Sequence, residues 1–340
     1  MVRQDACGLC FSDTKVIGLG DNHPRLTGRD LSTDPVTLGH EVSCTVVGIG
    51  ANRLGQFQIG DRFTIQADVF YKGKSMAYGY VFKGGLAEYS VIPKEVIDGD
   101  EGCYLLPIQK NTGYVESALT EPWACVVSAY AQSHRDGILD KGRMLVMGSP
   151  SAEDVNYDWK SLLSVGRTPA EIVFWNVTGL PFHTLSAWTE AFDIPVTKVE
   201  AEDWDALKAY PDVRFDDILV LGDVSAEAIE GASAALANHG IMNFVGGQTL
   251  NRKLNLDIGR IHYNWHYYLG TDTSSPAESY RETRTADLVP NGLSWFIGAG
   301  GPMGQMHVQR AIQHWSPPRR VVATDVDAVR LQSVVERFGS

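Results

Sequence analysis

The feature that most restricts the fold is a strand–turn–helix unit that the chain contains twice. Arg143-Met144-Leu145-Val146-Met147-Gly148 is a short, nearly continuous apolar run, and Leu293-Ser294-Trp295-Phe296-Ile297-Gly298 is its counterpart near the end. Apolar strands without alternation must be buried on both faces, which happens in parallel sheets covered by helices. Residues 171–176, 217–222 and 240–246 read as further strands of this kind, and the alanine-rich stretch 226–238 reads as a helix. Strands alternating with helices predict a doubly wound parallel sheet over 131–285, with 267–270 as its last strand. The second unit predicts a partial sheet of the same type over 290–340, with a helix to about His314 and a strand at 320–325.

Before this region the texture differs. Residues 41–50, 62–66 and 87–93 read as strands between glycine and proline breaks, so 1–130 is expected to form a compact, barrel-like β domain. A helix over 116–131 leads out of it and carries Glu121, Trp123 and Cys125.

Composition removes several classes of function. The chain has 41 acidic and 29 basic residues, a formal charge of −12, and no Lys/Arg stripe, which argues against nucleic acid. Its longest apolar runs are strand-sized, far short of a membrane span. No charged-then-apolar leader directs secretion. Five cysteines fit a cytoplasmic protein with free thiols and a metal site better than a disulfide framework.

Two constellations carry chemistry. Cys10, His40 and Glu121 offer a thiolate, an imidazole and a carboxylate, a donor set that suits Zn²⁺ and leaves a fourth position open. Ligands this far apart exclude a zinc finger, whose ligands come in close pairs. Glu41 is placed to be an occasional fourth ligand or a supporting group, and Asp13 to hold the His40 ring by a hydrogen bond. Cys7, Cys44, Cys103 and Cys125 read as plain buried thiols. His23, His134 and His239 read as surface or turn histidines, and His262 and His266 could share a helix face. The second constellation is G-A-G-G-P-M-G at 298–304, which follows a strand and opens a helix, with Asp325 closing the next strand 21 residues past Gly304. That context predicts dinucleotide binding: Gly298, Gly300, Gly301 and Gly304 for the backbone approach to the pyrophosphate, and Asp325 for the ribose hydroxyls. A carboxylate there repels a 2′-phosphate and favours NAD over NADP. The equivalent loop at 148–152 keeps one glycine, inserts Pro150, and is followed by a strand ending at Asn176 rather than at a carboxylate.

The motifs resemble the zinc-dependent medium-chain alcohol and polyol dehydrogenases. The match is C-G-L-C-x-S-D at 7–13, G-H-E at 39–41, G-D-R at 60–62, G-G-x-A-E-Y at 84–89 and E-P at 121–122. Tyr78-Gly79-Tyr80, Phe215-Asp216-Asp217-Ile218 and the His262 to Thr271 run resemble its sorbose-1-phosphate reductase branch. The resemblance implies an α/β protein with a GroES-like, β-rich catalytic domain, a Rossmann domain and, here, a partial second Rossmann unit. That domain normally has strands ahead of C-G-x-C, so either the start is a fragment boundary or the opening strands are absent, which would leave an unpaired edge. It implies one catalytic zinc, since no cysteine lies between Gly60 and Gly102 to build a second, structural site. Zinc would act as a Lewis acid, Ser12 would receive the proton of the substrate hydroxyl, and a hydride would pass between nicotinamide and the CH–OH of a polyol, sugar or sugar phosphate. A homo-oligomer, dimer or tetramer, is implied through the last strand of the sheet. A simple secondary-alcohol or threonine dehydrogenase, and a non-catalytic remnant that binds zinc or a partner, are the alternatives. No Lys or Arg stands out in the sequence as the cation a phosphorylated substrate needs.

Overall fold

The structure, a computed structural model, describes the chain apart from residues 27, 164–165, 201–213, 282–285 and 340. The chain divides into two compact units, one made of 1–132 together with 286–340 and one of 133–285.

The first unit is built on β1 (Val2–Cys7), β2 (Val42–Val46), β3 (Arg62–Ile65), β4 (Asp68–Tyr71), β5 (Lys74–Ala77), β6 (Tyr89–Ser90) and β7 (Leu105–Pro107). Five of these form an antiparallel sheet in the order β6-β1-β2-β3-β7, and β4 pairs with β5. The β4–β5 turn puts both Lys72 and Gly73 at positive φ, the geometry of a tight two-residue hairpin. Every residue of β2 is buried, and Val42, Cys44 and Val46 pack with Val2, Phe63, Ile65 and Tyr78.

Three expectations change here. The stretch ahead of Cys7 is not a bare edge: β1 pairs with β2 on one side and β6 on the other. It escaped the reading because Arg3, Gln4 and Asp5 break the apolar alternation. Asp5 is polar for a reason, accepting a hydrogen bond from Thr45 Oγ1. The strand expected over 87–93 shrinks to Tyr89–Ser90. The single helix over 116–131 is two, Tyr114–Ala118 and Thr120–Tyr130, broken at Leu119.

The second unit holds β8 (Arg143–Met147), β9 (Glu171–Trp175), β10 (Val196–Val199), β11 (Phe215–Leu221), β12 (Leu236–Val245) and β13 (Tyr267–Thr271). They form one sheet in the order β10-β9-β8-β11-β12-β13, parallel at every described pairing. This is the doubly wound order, with its switch between β8 and β11. Successive residues of a strand point to opposite faces, and each face has its own apolar cluster: Met144, Val146, Phe174 and Leu219 on one, Leu145, Met147, Val173 and Ile218 on the other. The helix expected to reach 238 ends at Ala234, because Ala235 O already accepts from Phe215 N and Leu236 pairs with Phe215. The Asp216-Asp217 pair is structural. Asp217 is buried and accepts from Arg135, Leu139 N and the Tyr280 hydroxyl, each at 2.8 Å, while Asp216 accepts from Arg143 N. His266 lies past the end of the Gly259–Tyr263 helix and is buried, so it shares no helix face with His262.

The remaining strands, β14 (Leu293–Ile297) and β15 (Arg320–Thr324), pair in parallel around the Pro302–Gln313 helix and belong to the first unit. Phe296, Val308, Val321 and Val334 close a small core around Ala299, while Leu293, Trp295 and Ile297 face outward.

Candidate metal centre and dinucleotide fingerprint

The first unit gathers Cys10, His40 and Glu41, whose ligand atoms lie within 4.8 Å of one another. Among the described residues this is the one such group. His40 and Glu41 are 6 % exposed, and Cys10 is the N-cap of the Phe11–Leu19 helix. Glycines let the loops meet. Gly39 has φ +92° and a Cβ on it would stand 2.5 Å from Cys7 Sγ; a Cβ on Gly84 would stand 2.3 Å from Gly39 O. Gly84 and Gly85 therefore pack backbone to backbone on 37–39, donating to Thr37 O and Gly39 O.

Asp13 acts differently from expectation. Its carboxylate lies 3.7 Å from His40 Nδ1, too long for a hydrogen bond. It accepts instead from Cys10 N at 3.0 Å and Gly39 N at 3.2 Å, so it ties the two ligand-bearing segments together through their backbones. Ser12 Oγ lies 3.4 Å from His40 Nε2, at the edge of the cluster.

The donor set fits a zinc ion. Burial pushes the Cys10 thiol up, with Ser12 pulling it back and Glu41 and Glu121 adding to the rise. Burial also raises Glu41 and Glu121, each opposed by His40. A buried and a half-buried carboxylate and a thiol with one imidazole among them make a site short of positive charge, and His40 Nδ1 is buried without a hydrogen-bond partner. A divalent cation supplies that charge. Glu121 is in electrostatic reach of His40 and Glu41 but outside the converging trio, whereas Glu41 is inside it.

Other assignments shift. Cys44 is buried, but Cys7 is only partly covered, and Cys103 and Cys125 are exposed. Cys125 Sγ sits 4.0 Å from Glu121 Oε1, one helical turn on. His23 is buried rather than on the surface, 5.5 Å from the Tyr80 ring. Tyr80, which packs 5.7 Å from His40 on its other contact, is a wall residue the sequence did not mark; its only signal was the Tyr78-Gly79-Tyr80 run.

The glycine fingerprint has the geometry its sequence predicts. Gly298 turns at φ +77° and donates to Thr324 O. A Cβ on Gly304 would stand 2.3 Å from Gly298 O, so helix and turn pack at backbone distance. Asp325 accepts from Gly300 N at 2.8 Å and Asp327 N at 2.9 Å, which holds its carboxyl below the usual range. Gly301 caps a twelve-residue helix that starts at Pro302. That helix packs on the one carrying Glu121: Tyr130 hydroxyl and His307 Nδ1 are 2.9 Å apart, and the Arg310 guanidinium lies 3.8 Å from the Tyr130 ring.

The loop at 148–152 is closed. It leads into a three-residue 3₁₀ turn rather than an α-helix, and a Cβ on Gly222 would stand 2.6 Å from the hydroxyls of both Ser149 and Ser151. The two hydroxyls are 3.0 Å apart, and Asp223 N donates to Ser151 Oγ at 2.8 Å. An open groove of about 610 Å³ beside β10 is lined by Phe182, His183, Glu190 and Val196 among others.

The chain is similar to several known proteins. Residues 1–98 match the family described as alcohol dehydrogenase GroES-like domain. The chain is 28 % identical over 328 residues to a mannitol-1-phosphate 5-dehydrogenase of Aliivibrio fischeri, covering 88 % of this chain and 74 % of that protein. It is 28 % identical over 282 residues to an L-sorbose 1-phosphate reductase of Klebsiella pneumoniae, covering 77 % and 66 %. The crystal structure of 2R,3R-butanediol dehydrogenase from Bacillus subtilis aligns over 93 % of this chain and 89 % of that one, at 16 % identity and a TM-score of 0.30. By these findings residues 1–98 form an alcohol dehydrogenase GroES-like domain, and the chain as a whole is similar to the medium-chain polyol and polyol-phosphate dehydrogenases. Among the described residues no helix is long and apolar enough to cross a membrane.

Proposed function

We propose that this chain is a zinc- and nicotinamide-dependent oxidoreductase acting on the CH–OH of a polyol, sugar or sugar phosphate in the cytoplasm, as a homo-oligomer. The observation that carries the reading is that the metal-capable trio and the glycine fingerprint fold into one compact unit, with the Glu121 helix packed on the fingerprint helix. The relatives' names support the substrate class. In this reading Cys10, His40 and Glu41 hold zinc, with Glu121 as a further carboxylate within reach. Zinc, when bound, supplies Lewis-acid activation of the substrate oxygen. Ser12 takes the hydroxyl proton at Oγ and passes it outward. Asp13 keeps the Cys10 and Gly39 segments in register. Gly298, Gly300, Gly301 and Gly304 would admit the pyrophosphate of a nicotinamide cofactor, which when bound would supply the hydride chemistry, and Asp325 would favour NAD by meeting the ribose hydroxyls. The open edge of β13 offers the strand through which subunits pair. Zinc analysis with nicotinamide-fluorescence titration tests the reading. About one zinc per chain and saturable NADH binding are expected from a single three-ligand site; a chain that binds neither is not a dehydrogenase.

A further inference from the structure

We propose that Arg25, assisted by Lys15, is an anion subsite that makes this centre prefer phosphorylated polyols. The proposal rests on the dehydrogenase reading above. A polyol 1-phosphate that reacts at carbon 5, as the name of the mannitol-1-phosphate relative describes, places its carbinol at the metal and its phosphate several carbons away. It therefore needs a cation close to the ligands but not among them.

Arg25 is in that place. The His40 ring packs 5.7 Å from the Tyr80 ring, and the Arg25 guanidinium lies 5.4 Å from Tyr80. Two ring contacts thus lead from a metal ligand to a cation, by way of the buried Tyr80 ring. The backbone fixes the position: Arg25 N donates to Nδ1 of buried His23 at 3.2 Å, and His23 packs on the same tyrosine. The Arg25 guanidinium also pairs with Asp68 at 2.8 Å. Lys15 comes from the helix that Cys10 caps. After burial, Arg25 and Lys15 both press the His23 imidazole below its usual value, so the local field is positive. Arg25 and Asp68 side chains are 36 % and 50 % exposed, open to an incoming ligand. The planar guanidinium matches phosphate bidentately, and a phosphate dianion outcompetes a single carboxylate for it. Asp68 opposes the anion and holds the guanidinium aimed when no substrate is present.

The test is calorimetric titration of the zinc-loaded chain, with NAD present, using mannitol 1-phosphate and mannitol as probes. Wild type is expected to bind the phosphate ester more tightly, with a preference that fades as salt rises. Arg25→Gln should weaken mannitol 1-phosphate by about tenfold or more, the loss of one charge-assisted contact, and leave mannitol binding and zinc content unchanged. Lys15→Ala should do the same to a smaller degree. Asp68→Asn separates recognition from architecture: it breaks the same ion pair but should keep or strengthen the phosphate preference. If Arg25→Gln and Asp68→Asn lose the preference alike, or Arg25→Gln keeps it, the subsite is wrong while the dehydrogenase reading stands. If neither probe binds wild type although zinc and NADH do, the subsite falls while the dehydrogenase reading stands; if zinc and NADH also fail to bind, both fall.

Discussion

Replacing Asp13 by Asn tests the architecture of the metal centre. The carboxylate is 5 % exposed, and its two oxygens serve two different segments, Cys10 N at 3.0 Å and Gly39 N at 3.2 Å. An amide of the same shape keeps one acceptor and turns an NH₂ group onto the other backbone N–H. Losing one hydrogen bond to a charged acceptor, with a buried donor left facing a donor, costs about 1.5–3 kcal/mol. Part of that loss falls on the metal, because the segments that carry Cys10 and His40 are no longer in register. Zinc affinity should drop about 10- to 100-fold, the range for a supporting group one step removed from the ligands. The metal-free protein should also melt about 3–12 °C lower, at 2–4 °C per kcal/mol for a unit of this size. Zinc competition against a chromophoric chelator reads the first effect, and thermal unfolding of the chelator-treated protein reads the second. If zinc affinity falls while metal-free unfolding is unchanged, Asp13 acts only by holding the His40 ring, and the backbone argument is refuted.

His40→Ala should abolish zinc retention while Cys44→Ala retains it, because Cys44 packs inside β2 and is no part of the trio; metal analysis showing equal loss would overturn the ligand set. Gly300→Val should abolish NADH binding, since its Cβ would already stand 2.6 Å from Arg330 Cβ and 2.9 Å from Asp325 Oδ2, while Gly148→Val should bind normally if it folds; fluorescence titration giving the reverse moves the cofactor to the other unit. Burial, aided by Arg260, pushes His266 down from 6.5 to about 4, so the folded state keeps it neutral where the unfolded chain protonates it. Stability from this group is fully present above pH 6.5 and is lost as pH falls from 6.5 to about 4, by about 2–3 kcal/mol; denaturant midpoints of His266→Phe should slope less across that window.

The parallel sheet was legible because its strands are buried on both faces, which forces runs such as 143–148 that no other setting favours. β1 was not, because its polar residues are satisfied by cross-strand partners such as Thr45, and a sequence does not reveal such pairs. The ligand motifs were legible as residue types, since glycines at 39, 84 and 85 are demanded by backbone contact. What could not be read was which carboxylate converges. Glu41 and Glu121 are equivalent as chemistry, and only the path of the chain past Gly8, where a Cβ would strike the Glu41 carboxylate, sets Glu41 against Cys10. Tyr80 and Arg25 were invisible for the same reason: their roles come from a neighbour that lies far along the chain.

The placement of the fingerprint follows from what a small sheet needs. Two strands are too few for independent stability, and β14 turns Leu293, Trp295 and Ile297 outward. The contacts of Tyr130 with His307 and Arg310 attach this piece to the helix Thr120–Tyr130. That helix carries Glu121 in its first turn and Tyr130 in its last, so one rigid element sets both the carboxylate near the trio and the seat of the fingerprint helix. A nicotinamide cofactor bound at Gly298–Gly304 adds its binding free energy to the unit that includes the metal trio, by mass action on that unit's folded state. In the proposed reading the 133–285 unit would gain none of it, and the short β14–β15 sheet would carry the cofactor because its helix packs on the helix that bears Glu121.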